Sequence, residues 1–230
     1  MENYDTSKKL LSIYSILLDR YGNRGWWPAD TPFETIIGTI LTQNVSWNNA
    51  KKAIDNLKMA KLLDPYILKN SELGCISRQI ISSRYYNQKA QKISTFVQFL
   101  YSEYNGNLDL MVLEDLPILR KKLLSLKGFG EETVDSIILY ACNLPIFVVD
   151  SYTKRIFNRY GFFSENCQYS EVQCLFTLHL PKDVKLYNDY HAQIVNLGNS
   201  ICKIHPTCYL CPIRAIAPGI ECEYSKVRKI

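Results

Sequence analysis

The chain has 230 residues, 47% hydrophobic and 21% charged, enough to bury a core as one domain or as two small lobes. Its 27 basic and 22 acidic residues leave a net charge of +5, which is compatible with a polyanionic partner without requiring one. No apolar run approaches the ~20 residues that span a bilayer, and the polar, acidic start Met1-Glu2-Asn3-Tyr4-Asp5 is unlike a signal peptide, so a cytoplasmic protein without a membrane partner is expected.

Leu10, Ile13, Tyr14, Leu17, Leu18 and Tyr21 fall at helical spacing, and Gly22 ends that helix. Thr31-Pro32-Phe33-Glu34 has capping-box order with proline at the first helical position, and Phe33, Ile36, Ile37, Ile40 and Leu41 follow on one face. Ser46 and Asn87 are expected N-caps for helices carrying Ala50, Ile54 and Leu57, then Ala90, Ile93, Phe96, Val97 and Leu100. Further helices are expected from Leu113 to Leu124, from Glu131 to Cys142, and after an Asp150 cap through Ile156, Phe157 and Tyr160. No convincing alternation of a strand occurs, and no internal repeat, so the expected fold is all-α.

Leu126-Lys127-Gly128-Phe129-Gly130 joins two of these helices, and its glycines must form the turn. Without a Cβ, such a turn can take positive φ and bring N–H groups and a helix N-terminus against a phosphate oxygen, gripping a nucleic-acid backbone without reading its sequence. An isolated pair of glycines would be an ordinary turn. Here Gly130-Glu131-Glu132-Thr133 opens an apolar helix, followed by Leu144-Pro145-Ile146-Phe147-Val148-Val149-Asp150 and another helix.

That order of hairpin, helix, proline, short apolar run, aspartate and helix resembles the helix-hairpin-helix DNA glycosylases related to endonuclease III. The resemblance runs from Trp26 to Cys222 and implies two helical lobes with a DNA-binding cleft. Residues 31–142 would form the hairpin-bearing barrel, and 1–30 with 143–230 the second lobe. It implies a monomer acting on double-stranded DNA that contains a damaged base, in association with the nucleoid.

Asp150 would be the catalytic carboxylate, stabilising positive charge on the deoxyribose and orienting or activating water at C1′, besides capping its helix. Strand-cleaving members place a Schiff-base lysine two residues after the second hairpin glycine, where this chain has Glu132. A carboxylate forms no Schiff base, so the resemblance implies water-dependent base release that leaves an abasic site. Lys127, Gly128 and Gly130 would hold the DNA backbone, and Gln43, in Leu41-Thr42-Gln43-Asn44, would fill the gap left by the extruded base.

Trp26-Trp27-Pro28 and Trp47 account for all three tryptophans, and with Tyr86-Asn87-Gln88-Lys89-Ala90 they resemble the endonuclease III-like 3-methyladenine glycosylases. In that branch the corresponding aromatic residues stack on an alkylated purine, whose positive charge suits π-faces. Activity on uracil, mismatched thymine or oxidised pyrimidines, and a non-catalytic DNA-binding module, stay open as alternatives.

Of eight cysteines, four crowd the tail. Cys202-x5-Cys208-x2-Cys211-x10-Cys222, with Pro206 and Pro212, resembles the family's loop for a [4Fe–4S] cluster, although the last interval is longer than usual and makes Cys222 the departing ligand. Four thiolates in a short stretch can also bind zinc, the less favoured occupant.

Overall fold

The computed structural model describes residues 2–215 and 222, and every regular element among them is helical. The chain divides into two compact units, residues 27–144 and residues 1–26 with 145–230.

In the 27–144 unit the most buried helix is α2 (Pro32–Thr42), with every residue from Phe33 to Leu41 removed from solvent. Its start follows from local chemistry. Thr31 is extended and its hydroxyl accepts the Glu34 N–H at 3.1 Å, while Pro32 lies in the first turn, where no helical N–H is needed. The Glu34 carboxylate reaches back to the Asp30 N–H, one residue beyond the cap, and Lys58 bridges Asp30 and Glu34 at 2.7 Å each. Thr35 and Thr39 are tolerated inside because each hydroxyl donates to the carbonyl four residues earlier.

Around α2 stand α3 (Trp47–Met59), α4 (Pro65–Lys69), α5 (Leu73–Gln79), α6 (Tyr86–Tyr104), α7 (Leu108–Val112), α8 (Leu116–Leu124) and α9 (Glu131–Ser136). Ser46 is the N-cap residue of α3 as expected, although its hydroxyl makes no cap bond. Three other expected boundaries move. Asn87 lies inside the first turn of α6, whose cap position is Tyr85. The expected helix 113–124 begins at Leu116, because Pro117 fits a first turn and would break an interior one. The expected 131–142 helix is α-helical only to Ser136 and widens into a π-helical stretch over Ile137–Ala141.

Lys89 explains one of the sequence motifs in structural terms. It is 2% exposed, and its amine donates to the carbonyls of Leu41 at 2.7 Å and Ser83 at 2.5 Å. It therefore ties α6 to the C-terminal end of α2, just before Gln43. Burial pulls this amine down to about 8.

The other unit combines α1 (Glu2–Tyr21), α10 (Ser151–Arg159), α11 (Tyr169–His179), α12 (Val184–Ser200) and two short 3-10 turns at Cys208–Leu210 and Pro212–Ala215. A buried carboxylate, Asp189 on α12, joins its distant halves by accepting the Tyr14 hydroxyl at 3.1 Å and the Arg24 N–H at 2.9 Å. Tyr190 adds a bond to the Leu10 carbonyl at 2.8 Å.

The aromatic core of this unit fixes the segment before Asp150. Phe147 stacks on Phe176 with centroids 4.1 Å apart, and Phe157 meets Phe176 edge-on at 4.8 Å. Gln173 donates to the Phe147 carbonyl at 2.6 Å, and the Val149 N–H reaches the Tyr169 hydroxyl at 3.3 Å. The strand-like run into Asp150 is thus held by α11 rather than by a sheet.

Candidate active site

The hairpin between α8 and α9 is built on one left-handed glycine and one buried phenylalanine. Gly128 has φ +89°, and a Cβ there would lie 2.7 Å from the Lys92 side chain. The Phe129 N–H closes a turn on the Leu126 carbonyl at 3.1 Å, and its ring is buried beneath. Gly130, expected to share the positive-φ role, is instead the extended N-cap of α9, with open space where its Cβ would be. Lys127 and both glycines are exposed.

This contrast gives a direct test of what each glycine does. Gly128→Ala is expected to cost about 1–3 kcal/mol through left-handed strain and the Lys92 clash, whereas Gly130→Ala should melt close to wild type. Thermal melts of the two variants decide it.

Beneath the hairpin, Arg120 on α8 grips the fully buried Asp135 on α9 with two bonds, 2.7 and 3.1 Å, and lies 3.5 Å from Glu131. A bidentate pair fixes the angle between the two helices as well as their distance. Glu132 is exposed in the first turn of α9, where a carboxylate suits the helix N-terminus.

Gln43 follows α2 and is held at both ends of its amide. Its Nε2 donates to the Thr133 hydroxyl at 2.6 Å and its Oε1 accepts from the Lys92 amine. Lys92 therefore touches both the hairpin glycine and the Gln43 side chain, a link that no local sequence signal carried.

Trp27 and Trp47 meet edge-on at 5.3 Å, and Trp27 also faces Tyr140 at 5.5 Å. Gly38 on α2 makes the room, since a Cβ there would sit 3.3 Å from the Trp27 indole nitrogen. Tyr140 comes from the π-helical stretch, a type of widening that recurs at functional sites. All three rings are half-buried; Trp26 is half-buried as well, and Pro28 is exposed.

Asp150 is 8% exposed and caps α10 as expected: one carboxylate oxygen accepts both the Thr153 N–H at 2.7 Å and its hydroxyl at 2.8 Å. The other oxygen faces His191 Nε2 on α12 at 3.7 Å. Burial pushes the His191 imidazole below its ordinary range, with the Asp150 charge working against that shift.

Residues 37–182 match the model of the HhH-GPD superfamily of base excision DNA repair proteins. The chain belongs to that superfamily. The "Putative DNA repair glycosylase MJ1434" of Methanocaldococcus jannaschii is 43% identical over 207 residues, covering 89% of this chain and 94% of the relative. Endonuclease III of Sulfolobus acidocaldarius is 28% identical over 184 residues, 79% of each chain. Among solved structures, H. pylori 3-methyladenine DNA glycosylase (MagIII) bound to 1,N6-ethenoadenine superposes with TM-score 0.73 at 25% identity, covering 84% of this chain and 96% of that one. A non-covalent endonuclease III–DNA complex reaches TM-score 0.80 at 22% identity and shares the all-helical fold. This HhH-GPD chain is thus a DNA repair glycosylase, and among its described residues no helix is long and apolar enough to cross a membrane.

The tail cysteines of this HhH-GPD chain come together around one cavity. Cys202, Cys208, Cys211 and Cys222 all line it, with Tyr160 and Arg159 beside them. Burial pushes the Cys211 thiol up to about 11 and the Cys202 thiol upward, so four thiolates together need a cationic centre among them. Arg159 donates to Cys202 Sγ at 3.2 Å, and Arg155 holds the Cys202 carbonyl at 2.8 Å. The donor set fits a bound iron–sulfur group.

Proposed function

We propose that this glycosylase is monofunctional and hydrolyses the N-glycosidic bond of an alkylated purine such as 3-methyladenine. The observation that carries the reading is the half-buried cluster of Trp27, Trp47 and Tyr140, which offers π-faces to an extruded base. Such faces favour a cationic base by about 0.5–2 kcal/mol each over a neutral one. The likeness to a 3-methyladenine glycosylase supports the same choice.

Excision starts with the base leaving the stack. The hairpin N–H groups at Gly128 and Gly130, with Lys127, would hold the duplex backbone, and Gln43 would fill the vacated place. To do so its amide must leave Thr133 and Lys92, two bonds worth about 0.5–1.5 kcal/mol each, and regain equivalent bonds within the duplex. An N3-methylated purine is already a good leaving group and needs no strong general acid. As its bond to C1′ lengthens, positive charge develops on the deoxyribose, and Asp150 supplies the opposing charge and orients the attacking water. Its capping oxygen stays bound to Thr153, so the oxygen facing His191 is the one available for this work.

Cys202, Cys208, Cys211 and Cys222, which line one cavity, would hold a [4Fe–4S] cluster, a reading supported by the likeness to endonuclease III, with zinc the less favoured occupant. When bound, the cluster supplies structure, locking the loop after α12 through Arg155 and Arg159.

Glu132 makes the strand-cleavage test sharp, because a carboxylate cannot form a Schiff base. A methylated duplex incubated with the protein should break only after alkali, and borohydride should trap no protein–DNA adduct. Strand breaks without alkali, or a trapped adduct, would contradict the monofunctional reading.

A further inference from the structure

Asp150 does not stand alone in its pocket. Its capping oxygen is committed to Thr153 by two bonds, and its second oxygen has the His191 imidazole 3.7 Å away. His191 is 6% exposed and comes from the middle of α12, between the core residues Tyr190 and Ile194, so it cannot swing aside without disturbing that helix. A rigid, titratable ring is therefore fixed beside the one carboxylate oxygen that can serve the reacting sugar.

Several other titratable groups on the elements packed against α12 have partners of their own. Tyr14 on α1 faces Asp189. On α10, Arg155 faces the Gly198 and Cys202 carbonyls, Arg159 faces Cys202 Sγ and the carbonyls at 203 and 204, and Lys154 faces the Cys167 carbonyl. His179 on α11 faces Ser7. Asp150 is a charged group that faces His191, its Oδ2 3.7 Å from Nε2.

We propose that His191 is a positioning residue for Asp150: the neutral ring leaves the second carboxylate oxygen uncompensated and aimed at the sugar, and the imidazolium pairs with it and withdraws it. The chemistry gives the sign. Catalysis needs negative charge opposite a developing cation, and an imidazolium 3.7 Å from that oxygen both cancels the charge and repels the cation. The low-dielectric surroundings strengthen both effects. Burial keeps the ring neutral at neutral pH, so the active arrangement is the resting one, and acid turns it off.

The inference rests on the reading of Asp150, so the test separates the two. The pH dependence of single-turnover base release from a methylated duplex should show an acid limb in wild type, falling about tenfold per pH unit below one ionisation. In His191→Gln, which keeps a polar side chain of similar reach without an ionisation, that limb should move to lower pH. Superimposable profiles would overturn the proposal. NMR titration of the imidazoles, of which the chain has three, gives a readout independent of activity. His191 should titrate at lower pH in Asp150→Asn than in wild type, and an unmoved midpoint would overturn the proposal. If Asp150→Asn instead released base at the wild-type rate, the reading of Asp150 would fall and take the proposal with it, whatever the NMR showed.

Discussion

Asp150→Asn is expected to slow base release about 10²–10⁴-fold while leaving the fold and duplex binding nearly intact. Asparagine is as good an N-cap as aspartate, so its carbonyl can keep accepting the Thr153 N–H and hydroxyl that now lie at 2.7 and 2.8 Å. What the substitution removes is the negative charge opposite the developing sugar cation. Asp150→Ala separates the two roles further: it also removes the cap, which costs about 0.5–2 kcal/mol of stability. Single-turnover rates, gel shifts and thermal melts on both variants check this. If Asp150→Asn kept the wild-type rate, or lost rate only in proportion to lost stability, Asp150 would be a cap and nothing more.

The second large effect concerns the tail. Cys208→Ala should abolish the visible absorbance expected of the proposed [4Fe–4S] cluster and destabilise the unit made of α1 and α10 to α12 by several kcal/mol, since metal binding in such loops is folding energy. Cys142→Ala is the matched control. That thiol is 2% exposed in the other unit, and burial pushes it up to about 12, as in an inert core residue. Its loss should cost some stability and leave the absorbance untouched. Cys222→Ser is the most informative of the series, because the interval before it is the departure from the family pattern, yet its side chain is buried and lines the same cavity as the other three. Metal analysis and absorbance of the purified variants distinguish iron from zinc. Absorbance unchanged in Cys208→Ala would remove that residue from the ligand set.

Features decided by neighbouring residues were legible in the sequence. Thr31 with Pro32 announced α2, Gly128 announced the hairpin, and Asp150 announced the start of α10, because a cap or a left-handed turn is settled within four residues. The crowding of four tail cysteines was equally plain, and the structure gathers them around one cavity. Features decided by distant contacts were not legible. His191 reads as one polar residue in an amphipathic helix until the chain brings it to Asp150, forty-one positions earlier. Tyr140 belongs to an apolar helical run, and only the widening to a π-helix and the Gly38 notch for Trp27 place it in the aromatic cluster. Lys92 carried no signal at all, although it touches both Gly128 and Gln43.

The division between these two classes also explains the displaced boundaries. Asn87 was displaced as the cap of α6 by the strained pair Arg84 and Tyr85, both at positive φ. Tyr85 is 60% exposed in that left-handed turn. A non-glycine residue there costs of order 1–3 kcal/mol, so tertiary contacts around α6 must hold it. Propensity alone would never place two bulky residues in that conformation.

The central claim is that a cationic alkylated purine is released as a free base by Asp150-assisted water. Chromatographic detection of the base freed from duplexes carrying 3-methyladenine, uracil opposite guanine, or thymine opposite guanine tests it most directly. Free 3-methyladenine should accumulate, with the strand intact and the two pyrimidine duplexes unchanged. Release of uracil or thymine with none of 3-methyladenine, or tight duplex binding with no base released from any of the three, would contradict it.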